Sequence, residues 1–275
     1  MFTPKQDTSR LFFYFTLLFL LCSCTKQVQD IPTGNVDAVW KNYLSSSLVP
    51  MTPFRTEVSL RFGTDGNTNR VNALLWGNSS NKLRLDIMTS IGTSVAKIYE
   101  DNREFILFIP QEEKVYIHKG SQKPLFNLGI PLPLRLTHLT YILQGQYANV
   151  FGVERSSNAL PAHSSNILKE NLKDIPLDAI AYTLPDNTFQ GTLILNSSGN
   201  PIYWQDNNKD GWFIFIYYKD HATMPYKLYI KHIGTKNTAR LIIKKHISNL
   251  DLFTAKQIQL IYPQDTILLP LDTLQ

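Results

Sequence analysis

LRLDIMTSIGTSVAKI, from Leu83 to Ile98, reads as two alternating runs around a short break. Leu83, Leu85 and Ile87 fall on one face of the first run, and Arg84 and Asp86 on the other. That is the period of a half-buried strand. Ser94, Ala96 and Ile98 carry the alternation past the break at 88–93. Gly92 suits a turn that needs unusual backbone angles. Ile91 beside it is a large apolar residue where an exposed tip should be polar. It either folds back onto the core or seeks apolar surroundings outside the protein.

The same alternation spreads outward. Phe54, Thr56, Val58, Leu60 and Phe62 face one way, with Arg55, Glu57, Ser59 and Arg61 between them. Thr64-Asp65-Gly66-Asn67 is a hairpin signal, and Arg70 to Gly77 returns as a second strand. Glu104 to Ile109 and Lys114 to His118 pair across a polar turn. Later runs at Ile180 to Leu184, Phe189 to Leu195 and Pro201 to Trp204 resume the sheet. An antiparallel meander of this kind has one wet and one buried face. Between the two groups of strands the period changes. Lys123 to Gly129 and Leu132 to Leu143 predict helices, the second with Leu132, Leu136, Leu139 and Leu143 on one face, Pro131 and Pro133 in its first turn and Gly145 as its stop. An apolar helix set between strands of a meander must cover the sheet's buried face. A further helix from Val36 to about Ser46, capped by Asn35, carries an apolar stripe of Val36, Val39, Trp40, Tyr43 and Leu44.

The composition is that of a globular chain, 43% hydrophobic and 18% charged, and its tyrosines, phenylalanines and prolines favour strands and turns. The net charge of +5 favours anionic partners weakly, and the lysines and arginines are scattered, with no run that marks a nucleic-acid footprint. The six histidines match no metal spacing such as HExxH. No glycine-rich phosphate loop and no GxSxG elbow occurs, so no cofactor, metal or catalytic residue is expected and the chain reads as a non-enzyme.

Lys5 and Arg10 precede an apolar run from Leu11 to Leu21, which fits a signal peptide and is shorter than the roughly 20 residues of a membrane-spanning helix. The run ends in Leu21-Cys22-Ser23-Cys24, which resembles a bacterial lipobox. The resemblance implies cleavage after residue 23, acylation of Cys24 and a tether from 24 to 35. Both cysteines of the chain lie here, so the mature part would hold no thiol. Two or more acyl chains anchor stably, at ~0.8 kcal/mol per buried CH2. With Thr25-Lys26 after the cysteine and no Asp, the enterobacterial sorting rule implies the outer membrane.

Leu128-Gly129-Ile130-Pro131-Leu132-Pro133-Leu134, followed by Leu139 and by Ile142-Leu143-Gln144-Gly145, resembles a segment of the LolB family, outer-membrane lipoproteins that receive other lipoproteins from the periplasmic carrier LolA. Phe54-Arg55-Thr56, Trp76, the Leu83 to Ile98 stretch, Asp210-Gly211-Trp212 and Met224-Pro225 follow in the same order, over about residues 36–145 and 180–248. The resemblance implies an incomplete antiparallel β-barrel enclosing an apolar cavity under a helical lid. It implies a monomer facing the periplasm, whose partners are a LolA-like carrier, an acylated lipoprotein cargo and the membrane. Phe54, Trp76, Leu85, Leu136, Leu139, Leu143, Trp212 and Phe215 would line the cavity or lid. Ile91 and Gly92 would form the loop that places cargo in the membrane. Residues 36–249 would form that domain, with an insertion at 147–173, containing a short helix near Leu168 to Leu172, and an extension at 250–275. In the extension, Gln257 to Tyr262 alternates weakly and Ile267-Leu268-Leu269 follows Pro263, so the tail adds an edge strand or lies across the sheet. These additions keep a second reading open: a similar lipoprotein that binds another lipid or glycolipid, or an interaction module of an envelope complex.

Overall fold

The computed structural model describes residues 33–273, except 49, 65, 80, 120–124, 126–131, 157, 166–170, 186–188 and 221. Cys24, the leader and the helix expected over 123–129, apart from a buried Leu125, lie outside the described residues. Residues Pro32–Gln275 form one compact unit.

The alternating stretches become two antiparallel meanders. The first comprises β1 (Phe54–Thr64), β2 (Asn67–Ser79), β3 (Lys82–Met88), β4 (Ser94–Asp101), β5 (Glu104–Ile109) and β6 (Lys114–Lys119). The second comprises β7 (Ala159–Pro161), β8 (Ile180–Leu184), β9 (Gly191–Leu195), β10 (Pro201–Asp206), β11 (Trp212–Tyr218), β12 (Pro225–His232) and β13 (Asn237–Ile247). β1 pairs with β13 and joins the meanders into one sheet. A last strand, β14 (Ile267–Pro270), pairs in parallel with β6. The sheet therefore runs from β14 through β6 to β1, then from β13 to β7, and its two edges stay unpaired with each other.

This order dictates where the helices go. β6 lies near one edge and β7 forms the other, so the chain between them has to cross the sheet. The crossover contains α2 (Leu136–Leu143) and α3 (Ala148–Phe151). Helix α1 (Thr33–Ser45) precedes β1 and packs on the same face, where the Tyr182 hydroxyl donates to the Val36 carbonyl at 2.8 Å. Val39, Trp40 and Tyr43 of its predicted stripe are buried. We call the helix-covered side the inner face. Paired residues share a face, so the register places Leu75, Leu85, Ile98 and Leu107 in one inner row.

α2 begins four residues later than its leucine spacing implies. Pro133 offers no N–H and drives Leu132 away from helical angles, so the helix starts after it. Its end is as expected. Gly145, at φ +76°, lets its own N–H reach Ile142 O and that of Gln146 reach Tyr141 O, a closed C-terminal turn.

The outer face is not a plain wet face. Arg84, expected in solvent, is buried. Its guanidinium bonds Asp86 at 2.6 Å and the Gln259 carbonyl at 3.1 Å, and stacks over Trp76. The cause is the C-terminal extension, which crosses the outer face before adding β14. Residues 257–262 are not a strand; a short helix, α4 (Ala255–Ile258), and an extended stretch follow the sheet instead. Asn78 holds this stretch by two bonds to the backbone of Phe253, at 2.8 and 2.9 Å. Leu260 then fills an apolar patch of Ile106, Phe108 and Val115. Leu260→Ala should cost about 3 kcal/mol of unfolding free energy, read as a lower urea midpoint. A loss below about 1 kcal/mol, the range of ordinary surface changes, would show that the extension rests on the sheet without securing it.

On the other flank the insertion and the residues that follow it do the same. Ala162, Ile175 and Ala179 pack on outer-face Phe213, Phe215 and Tyr203. Within it a 3-10 turn at Asn171–Asp174 is found where a short helix near Leu168 to Leu172 was expected; 166–170 lie outside the described residues.

Candidate functional site

The candidate site is the interval between the inner face and the crossover. Phe54, Leu85, Leu136, Leu139 and Leu143 are all buried there, the last three on the underside of α2. Trp212 has the inner-face parity, at the end of β11, half-buried against His232. Trp76 and Phe215 do not join them. The register turns both outward: the Trp76 indole donates to Gln257 O at 3.2 Å, and Phe215 belongs to the cluster under the insertion. Both sides of these strands are covered, so an aromatic residue on either parity looks like core.

Two contacts tie α2 across the inner face. At its start, the Glu100 carboxylate of β4 accepts the Thr137 N–H at 3.2 Å and hydroxyl at 2.5 Å. Along its length, His138 meets Phe189 edge-on at 5.2 Å. Phe189 is in turn packed on Phe151 of α3 and on Trp204, whose indole donates to the Phe189 carbonyl at 3.0 Å.

Glu100 was not legible as a site residue, since it precedes the polar turn at 101–103. It is wholly buried, and its Oε2 has no hydrogen-bond partner among the described residues. Burial pushes its carboxyl above the usual carboxylate range, against the pull of the Thr137 bonds and the Arg135 charge. Burial, with Arg135 beside it, pushes the His138 imidazole down to about 4.

The His138 shift has a consequence for stability. The folded state keeps this ring neutral, whereas an unfolded chain protonates it near 6.5. Stability is therefore lost as pH falls from about 6.5 toward 4, by about 3 kcal/mol in all. His246, pushed down by burial, acts in the same sense, and Glu100, pushed up, acts in the opposite one. Comparing the native chain with His138→Gln across this window cancels the other two. The native chain should lose about 3 kcal/mol more than the variant; parallel curves would refute the assignment.

The loop after β3 is closed on itself. Thr89 N–H donates to Thr93 O at 2.8 Å and Gly92 N–H to Thr89 O at 3.1 Å. Gly92 has φ +91°, the angle for which a glycine was expected. Ile91 is 88% exposed and does not fold back onto the core.

One concavity was hidden from the sequence because it needs the C-terminal extension in place. A cleft of about 600 Å³ lies between that extension and the outer face, lined by Tyr99, Ile106, Ile117, Leu260 and Tyr262 with Lys82 at its margin. Among the described residues no group of three or more His, Cys, Asp or Glu is placed to hold a metal ion.

No protein-family model and no curated protein matches the sequence. Solved structures do match. A LolA superfamily protein from Nitrosomonas europaea is 12% identical, over 80% of this chain and 96% of that one, with a TM-score of 0.48. A DUF1329 family protein from Desulfovibrio piger is 10% identical over 82% and 99%, with a TM-score of 0.48. A domain described as an outer membrane lipoprotein-sorting protein from Vibrio parahaemolyticus is 8% identical over 80% and 95%, with a TM-score of 0.50. At such identities the likeness to the Vibrio domain is one of fold, which in this chain is an unclosed, mainly antiparallel barrel with helices on its inner face.

Proposed function

We propose that the protein is a lipid-anchored carrier of the bacterial envelope, which holds acyl chains between its inner face and helix α2 and passes acylated proteins into the outer membrane. The observation that carries this reading is the leucine row Leu136, Leu139 and Leu143 lying over an apolar sheet face. Parting the two exposes mostly hydrocarbon-like surface, with Glu100, Thr56 and Thr140 among its polar groups. An acyl chain that enters this interval stays in apolar surroundings, at ~0.8 kcal/mol per CH2 kept from water. Transfer from a donor to this site, and on to a membrane, then needs no covalent chemistry, only a downhill order of affinities. Cys24 supplies the anchor and Ile91 the contact with the receiving bilayer.

The test is transfer. The chain lacking residues 1–23 and carrying Cys24→Ala is mixed with a periplasmic carrier loaded with a lipoprotein. Cargo should move to the new chain. Cargo that stays on its carrier while the chain copurifies with a different lipid would replace the lipoprotein by that lipid as the ligand.

A further inference from the structure

The two outer-face coverings leave a gap. The insertion covers the flank at β8 to β11, and the C-terminal extension covers the flank at β2 to β6. Between them lies the outer face of β12, β13 and β1 and the first half of β2. The register sets Arg70, Arg61 and Arg240 directly opposite one another there, on three adjacent strands, with Tyr229 continuing the row. Neighbouring strands are about 4.8 Å apart, so the three arginines share roughly 10 Å. All three are exposed. Like charges placed directly opposite destabilise a sheet, and here three stand in line. Arg55, Lys244 and Lys245 are exposed on the same strands, where Glu57 is the only acid. Beside the row, the Lys227 ammonium lies 3.5 Å from the Tyr217 ring centre. Burial and the Arg240 charge push its pKa down, against Asp174 just after the insertion. No ion pair to Arg61, Arg70 or Arg240 is found among the described residues.

We infer that this bare strip binds the phosphate headgroups of an anionic lipid surface. Arginine forks match phosphate oxygens; Arg70 Nε donates to Ser59 Oγ at 3.1 Å, but none of the three guanidiniums is held by a carboxylate among the described residues. Position favours lipid over an acidic protein. Asn72 of β2 pairs with Met88, so the loop carrying Ile91 stands beside Arg70 at the same end of the sheet. Ile242, 41% exposed, lies one pair from Arg240 on the strip. Cations flanking exposed apolar side chains suit an interface where headgroups overlie hydrocarbon. The surface is separate from the inner interval and stands whether or not acyl chains enter there.

Vesicle cosedimentation decides the matter, using the full chain with Cys24→Ala and vesicles of phosphatidylcholine alone or with phosphatidylglycerol. The apolar segment at 11–21 contributes to both, so the ratio of affinities isolates the charge. The native chain should prefer anionic vesicles by at least about thirtyfold, and less so in high salt. Arg61→Gln with Arg240→Gln should remove about fivefold of that preference per residue. These variants relieve repulsion, so their melting temperature should not fall, which separates lost binding from lost folding. Lys209→Gln with Lys256→Gln removes the same charge elsewhere and should leave the preference intact. An equal loss in that control would reduce the effect to net charge and overturn the inference. So would the absence of any anionic preference in the native chain, including the case where the strip instead captures an acidic protein.

Discussion

Phe189→Ala is expected to destabilise the protein by about 3 to 5 kcal/mol, the largest effect of any single truncation considered. Phe189 is buried and touches Phe151 at 5.5 Å, Trp204 at 5.2 Å and His138 at 5.2 Å between ring centres. It thus links both crossover helices to the sheet. Truncation removes the transfer free energy of a benzyl group and leaves a hole that three rings on different elements cannot close together. Geometry adds to the loss, because each contact is edge-on, the favoured arrangement of aromatic pairs. Denaturant unfolding measures it. The tryptophan signal at Trp204 should also shift before global unfolding, since helix α2 loses one of its two ties. A loss below about 1.5 kcal/mol would mean that the crossover is held elsewhere.

Ile91→Glu should leave cargo acceptance unchanged and slow delivery to membranes by at least about tenfold. Full burial of an isoleucine side chain gains about 1.5 to 3 kcal/mol. That is too little to anchor a protein but enough to favour a docked state by one or two orders of magnitude. A carboxylate at the same point removes the gain and opposes entry into hydrocarbon. The loop's backbone bonds do not involve the Ile91 side chain, so the substitution leaves the fold intact. Acceptance and delivery are measured separately, the first from a loaded carrier, the second to vesicles. Normal delivery by the variant would refute the role of the loop.

Strand existence and order were legible because alternation is a strong signal. β1, β3, β5 and β6 lie where their periods placed them. Faces were less legible. Arg84, Trp76 and Phe215 depend on what covers the outer face, and both coverings come from segments far away in sequence. β5, EFILFI, is buried at four successive positions, so its alternation holds no record of which side is which. Glu100 was missed because a glutamate next to a polar turn reads as solvated. The arginine row was missed for another reason. Arg61, Arg70 and Arg240 are scattered along the chain, and only the β2–β1–β13 register makes them neighbours. Ile91 posed a choice that the sequence framed, and its exposure removes the option of packing on the core.

Whether acyl chains enter between the inner face and α2 is read directly by one crosslinking measurement. A photoreactive phenylalanine analogue is placed at Leu139, under the helix, and in separate chains at Phe215 and Leu260, under the two outer coverings. Each chain is given acylated cargo and irradiated. Adducts at position 139 alone are the predicted result. Adducts at 260, beside the outer cleft, with none at 139 would move the binding site to the other face of the sheet.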